Sequence, residues 1–166
     1  MKLESPIMAA SPEDTRNKAL QAIADSLQEK KDAVFEANRK DLQKAEENGI
    51  SESVKKRLLF NEHKLTDVLA GIQDVIKLPD PCGRVQLKRK LDEGLILERV
   101  SCPIGVIGVI FEARPDAMIQ ISSLCIKSGN VAVLKGGSET KETNQALFAI
   151  IHEAAVRSGL PELCLF

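Results

Sequence analysis

The sequence predicts an α/β protein: a helical N-terminal segment, then a β-hairpin, then a β-α-β-α-β section of an open parallel sheet. Three observations carry this reading. Apolar residues recur at helical spacing through residues 1–78, and the period changes to alternation between Val85 and Val100. Beyond that, Ile104–Phe111 and Val131–Leu134 are short apolar runs of the kind expected to be buried on both faces, separated by a segment of helical length ending at Gly129. Two buried strands joined by a helix are most simply a right-handed βαβ unit.

Ser11-Pro12-Glu13-Asp14 has the form of a helix start, with a capping serine, a proline at the first helical position and acidic residues facing the dipole. Ala19, Leu20, Ile23, Ala24 and Leu27 make one apolar face behind it. Lys30-Lys31-Asp32 interrupts or bends this helix. Val34, Ala37, Leu42 and Ala45 continue a weaker stripe, which Asn48-Gly49 closes with a left-handed cap. Ser51 opens a short helix through Leu58 and Leu59. Asn61-Glu62 opens the most amphipathic one, with Leu65, Val68, Leu69, Ile72, Val75 and Ile76 on one side and a stop before Pro79.

Pro79-Asp80-Pro81-Cys82-Gly83 is a turn-rich connector and the clearest boundary, dividing residues 1–78 from a connector and hairpin over 79–102 and an α/β section over 103–166. Val85, Leu87, Arg89 and Leu91 alternate with Gln86, Lys88 and Lys90, Asp92-Glu93-Gly94 turns, and Leu95–Val100 returns. Such a hairpin cannot stand alone: it packs within its own subunit, or it is an oligomerisation arm. The last predicted helix runs from Glu142 to Ser158, with Ala146, Leu147, Ile150, Ile151 and Ala154 inward and Gly159 as its cap. Leu163–Phe166 begins a third strand, so the α/β section reads as truncated and the chain as the N-terminal portion of a longer protein.

Composition is globular, with 43% hydrophobic and 28% charged residues; with aromatics at only 3% and no Trp or Tyr, the core must be aliphatic. A net charge of -1 gives no electrostatic footprint for nucleic acid, and the basic runs at Lys55–Arg57 and Lys88–Lys90 read as solvated surface. No apolar run reaches membrane-spanning length, and the N-terminus lacks the apolar region of a signal peptide. Cys82, Cys102, Cys125 and Cys164 form no C-x-x-C pair and read as reduced, mostly buried thiols; His63 and His152 lie too far apart for a zinc pattern. A cytoplasmic protein is expected.

In an open parallel sheet, ligands bind beyond the carboxyl ends of the strands. That rule picks out two clusters. In Glu112-Ala113-Arg114-Pro115, the proline biases Arg114 toward extended backbone, so its guanidinium either grips a carboxylate or phosphate or pairs with Glu112 or Asp116. In Lys135-Gly136-Gly137-Ser138-Glu139, the glycines let a ligand approach the backbone or simply form a turn, with Ser138 or Thr140 capping the next helix. Gly105-Val106-Ile107-Gly108 is not a dinucleotide fingerprint, because its glycines lie inside the strand.

PIGVIGVIFEARPDA followed by SLCIKSGNVAVLKGGSETKETN resembles the signature region of the gamma-glutamyl phosphate reductases, also called glutamate-5-semialdehyde dehydrogenases, and the reductase half of the bifunctional pyrroline-carboxylate synthases. The resemblance covers essentially the whole chain and implies an aldehyde dehydrogenase-like fold. It implies that Ile110, Phe111, Glu112 and Ala113, with the turn to Pro115, border the nicotinamide side of the cofactor. It further implies that Lys135, with Gly136, Gly137, Ser138 and Glu139, approaches the adenosine ribose, a positive Lys135 favouring NADPH over NADH. Arg114 becomes the substrate contact.

For the whole enzyme the resemblance implies NADPH-dependent reduction of gamma-glutamyl phosphate to glutamate-5-semialdehyde with release of phosphate, in proline biosynthesis; from the hairpin itself, a homo-oligomer joined through it is expected. Many aldehyde dehydrogenases carry Pro-Trp-Asn where this chain has Phe111-Glu112-Ala113, so the side-chain amide that helps the oxyanion is missing, as suits an acyl-phosphate reductase. The family nucleophile is a cysteine of a later domain, and none of the four cysteines here matches its motif, so this chain is expected to be inactive alone. Two other readings stay open: a naturally short, non-catalytic nucleotide-binding or oligomerising module of the same fold, and a reductase of another acyl phosphate or acyl-CoA.

Overall fold

The computed structural model describes residues 4–166; Met1–Leu3 of the predicted helical segment lie outside the described residues. Five helices come first: α1 (Ser5–Ala9), α2 (Glu13–Glu29), α3 (Lys31–Glu47), α4 (Glu52–Leu58) and α5 (Glu62–Lys77). The hairpin strands β1 (Val85–Asp92) and β2 (Leu95–Val100) follow, then β3 (Val106–Ile110), α6 (Pro115–Lys127), β4 (Val131–Lys135), a 3-10 turn (Ser138–Thr140) and α7 (Lys141–Arg157).

The start of α2 differs from expectation. Ser11 does not cap it: the Ser11 hydroxyl donates back to Met8 O at 2.6 Å, closing the short α1, and extended Pro12 is the residue that precedes the first helical turn. A five-residue helix carries too little periodicity to be seen in sequence, yet its Met8 is fully buried. The remaining breaks fall as expected. Lys30 separates α2 from α3, and Gly49, at φ 65, closes α3 while Ile50 N donates to Ala45 O. Asn61 caps α5 by accepting from Lys64 N at 3.1 Å.

The predicted apolar face of α2 is buried throughout. On α3 the inward stripe is instead Val34, Asn38, Asp41 and Ala45, with two polar residues at core positions. One apolar cluster runs from Met8 through α2 and α5 to Met118, Ile119 and Ile126 of α6, Leu147 and Ile151 of α7, and Leu165. Two buried cations tie its elements together. Arg16 reaches Asp80 at 2.7 Å, and Lys127 donates to Glu13, Asn17 and the Ile76 carbonyl.

β3 and β4 pair in parallel from Val106↔Val131 to Ile110↔Lys135. The third strand is reduced to a parallel bridge between Ala132 and Leu165, extended by Phe166 N to Ala132 O at 2.9 Å. Burial of β3 on both faces is not observed: Ile107 and Val109 are half-buried, whereas Ile104 and Ile110 are 83% and 80% exposed. Helices cover one side of the strand, and no described element covers the other. The hairpin pairs antiparallel as expected, but Leu91, Leu95, Ile96 and Leu97 are all exposed, so it does not pack within its own chain. No helix among the described residues is long and apolar enough to cross a membrane.

Candidate functional site

The register sets Ile110 opposite Lys135, so the two clusters picked out by sequence are neighbours at one end of the sheet. Phe111 N donates to Lys135 O at 3.0 Å and carries the ladder one residue further. The chain then turns sharply at Ala113, which has φ 52, a left-handed conformation that a non-glycine residue rarely adopts. Two contacts hold it there. Its side chain is buried against Ala45 and Leu58, and its N–H donates to Glu139 Oε1 at 3.0 Å.

Glu139 therefore links the second loop to the first. Both glycines of that loop have internal reasons to be glycine: a Cβ on Gly136 would collide with the Asn144 amide, and one on Gly137 with the Glu139 carboxylate. Lys135 is exposed, with Nζ 3.4 Å from Gly136 O. Ser138 is exposed and makes no cap; buried Thr140 precedes α7, donating to Gly137 O at 3.3 Å and accepting from Asn144 Nδ2 at 2.9 Å.

Ile110 and Glu112 are exposed and Phe111 is half-buried. Arg114 precedes α6 with φ -144 and ψ 89, outside the helical region that Pro115 disfavours for it though short of a fully extended backbone, and is exposed. Among the described residues it forms no ion pair with Glu112 or Asp116; Asp116 lies 3.8 Å from Lys64 instead.

Beside Gly136 and Gly137 opens a cleft of about 330 Å³. Leu134, Phe148 and Phe166 give it apolar walls, and Lys141, Asn144 and Gln145 line it from α7. Asn144 is 8% exposed, and its Oδ1 is buried without a hydrogen-bond partner. Sequence reading missed these α7 residues. Their signal was weak: Lys141/Gln145 and Asn144/Phe148 are i, i+4 pairs on a face displaced from the inward stripe of Leu147, Ile150 and Ile151.

Cys125 and Cys164 are buried, and burial pushes both thiols up, Cys164 to about 11. Cys82 is half-buried, whereas Cys102 is exposed, contrary to the expectation of mostly buried thiols; it sits on the irregular stretch before β3, where the chain carries no covering layer. No group of three or more potential metal ligands occurs among the described residues.

No family model matches the chain. A curated gamma-glutamyl phosphate reductase of Acetivibrio thermocellus is 53% identical over 154 residues, which is 93% of this chain. A crystal structure of gamma-glutamyl phosphate reductase from Thermotoga maritima superposes over 99% of this chain with a TM-score of 0.95 at 35% identity. By sequence and fold, this chain matches part of a gamma-glutamyl phosphate reductase. It spans 36% of the length of the Acetivibrio reductase and 40% of the Thermotoga reductase. The wider likeness of the reductase fold extends to an acetylating aldehyde dehydrogenase from Geobacillus thermoglucosidasius, with a TM-score of 0.65 over 97% of this chain and 33% of that one; at 17% identity this shows the fold alone. The aldehyde dehydrogenase-like α/β architecture expected from the sequence is thus the one observed.

Proposed function

We propose that this chain supplies the nucleotide-binding surface for NADPH-dependent reduction of gamma-glutamyl phosphate to glutamate-5-semialdehyde and phosphate, in proline biosynthesis. The observation that carries the reading is the cleft at the end of β4. Its apolar and aromatic walls suit an adenine ring, the unpartnered Asn144 Oδ1 offers an acceptor, Lys141 lines it for phosphate, and exposed Lys135 directly precedes its Gly136. NADPH would supply the hydride. Lys135 pairs with the extra ribose phosphate and so favours NADPH over NADH. Glu139 steadies the turn at Ala113, and Arg114, exposed beside that turn, meets the anionic substrate with its planar fork.

In this reading residues 1–78 are helical support, 79–102 an arm joining copies of the chain in a cytoplasmic homo-oligomer, and 103–166 the nucleotide-binding section. The thiol that completes the reaction is absent from this chain, which is inactive alone. A second reading, a non-catalytic nucleotide-binding or oligomerising module of the same fold, draws on the exposed apolar hairpin.

Titration calorimetry of the chain with NADPH and NADH tests the site. Lys135→Ala should weaken NADPH roughly tenfold, more than NADH, and Gly136→Ala should weaken both by displacing Asn144. Unchanged affinities in both variants would remove the cofactor assignment. In an enzyme carrying the rest of the reductase length, Arg114→Lys should raise the KM for gamma-glutamyl phosphate, and normal kinetics would return Arg114 to the solvent.

A further inference from the structure

Asp41 lies on α3 and is only 2% exposed, yet among the described residues it forms no ion pair. Its carboxylate faces the start of α7. Oδ2 accepts from the Thr143 amide at 2.8 Å and the Thr143 hydroxyl at 2.7 Å, and Oδ1 accepts from the Glu142 amide at 3.2 Å. The first N–H groups of a helix have no partners within it and carry partial positive charge, so they attract an anion. Thr140 makes no side-chain cap for α7. The anion is instead the carboxylate of a residue 102 positions earlier than Thr143.

Neighbouring residues of α3 hold this junction on both sides. Asn38, one turn before, donates to Thr143 Oγ1 at 3.2 Å and to Leu58 O at 2.8 Å, and accepts from Phe60 N at 2.8 Å. Lys44, about one turn after, bridges Glu142 at 2.9 Å, which lowers the Glu142 carboxyl below its ordinary value and raises Lys44. The turn of α7 gripped in this way carries Lys141, Asn144 and Gln145, the polar lining of the cleft.

We propose that Asp41 is a positioning residue for the nucleotide cleft: it fills the anion seat at the start of α7 from α3, and so fixes the helical turn that presents Lys141, Asn144 and Gln145. This rests on the nucleotide reading above. It also assigns the dinucleotide phosphates to the lysine side chains, since the N–H groups that would otherwise take a phosphate are already engaged.

The test is NADPH titration calorimetry of the intact chain with Asp41→Ala and Asp41→Asn, each checked by circular dichroism. Asp41→Ala leaves a space of formate size at the start of α7. NADPH should bind this variant roughly tenfold more weakly, and sodium formate, but not sodium chloride, should restore the affinity. Asp41→Asn keeps the shape and loses the charge, so its affinity should fall several-fold with native circular dichroism, and hydrogen exchange at the Thr143 amide should quicken. Wild-type affinity in either folded variant overturns the proposal, as does a loss in folded Asp41→Ala that formate does not recover. If Asp41→Ala does not fold, Asp41→Asn decides alone: weakened binding with quickened exchange supports the role, and unchanged binding refutes it. Absence of NADPH binding by the unaltered chain overturns the nucleotide reading itself, and this proposal with it; intact binding that ignores Asp41 overturns only the latter.

Discussion

Lys127 offers the sharpest test of how the helices are locked to the α/β section. It ends α6, is 3% exposed, and donates to Glu13 Oε1 at 3.0 Å, Asn17 Oδ1 at 2.9 Å and Ile76 O at 3.1 Å, joining α6 to α2 and α5. Lys127→Met keeps the length and most of the volume and removes the charge. The Glu13 side chain is 37% exposed, so water can replace the ammonium there and its share of the loss is small. The part-buried Asn17 and Ile76 oxygens lose a donor, at about 1–3 kcal/mol each. The apolar Met terminus returns about 1 kcal/mol. The expected net destabilisation is about 3 kcal/mol, near the lower end of the values for breaking a buried ion pair. At a urea slope of about 2 kcal/mol per molar, the unfolding midpoint followed by circular dichroism should fall by about 1.5 M. Lys77→Met is the control, because Lys77 reaches only Asp74 among the described residues, on the open surface, and should change stability by less than about 0.5 kcal/mol. A fall of under about 1 kcal/mol for Lys127→Met at unchanged slope would show that the buried ammonium is not a clamp.

Stability should also depend on pH through Cys164. Burial raises its thiol from 9.0 to about 11, so the folded state keeps the proton longer than the unfolded one. The contribution, on the order of 2–3 kcal/mol, is fully present below about pH 9 and is lost as pH rises toward 11. Urea midpoints at pH 8 and pH 10.5 should therefore differ more in the unaltered chain than in Cys164→Ala, and equal differences would sink the assignment. For the hairpin, Ile96→Lys should change the stability of the monomer by less than about 0.5 kcal/mol, since Ile96 is 55% exposed, while shifting sedimentation toward the monomer. A chain that sediments as a monomer before the change would refute the arm.

The sequence by itself determined the order and type of nearly every element. Local chemistry decides those: the alternation from Val85 to Val100, the Asn61 cap and Gly49 closing α3 all act within a few residues of where they stand. The sequence also marked the two loops after β3 and β4, because strand ends followed by Arg114-Pro115 and Lys135-Gly136-Gly137 are local patterns. Only the tertiary structure decided how those loops act together. Glu139 reaches across to Ala113, Asn144 claims the space left by Gly136, and Asp41 caps a helix that starts 100 residues later at Lys141, all through contacts between residues far apart in the chain or turned toward one another by the fold. Burial was decided there too. An apolar run such as Ile104–Phe111 is fit for a strand covered on both faces, but whether a second layer meets it depends on where other elements pack, and here one face of β3 stays open. The same holds in reverse for Asn38 and Asp41: polar side chains are expected outside, and they lie inside because the start of α7 and the segment Leu58–Phe60 bring the hydrogen-bond partners they need.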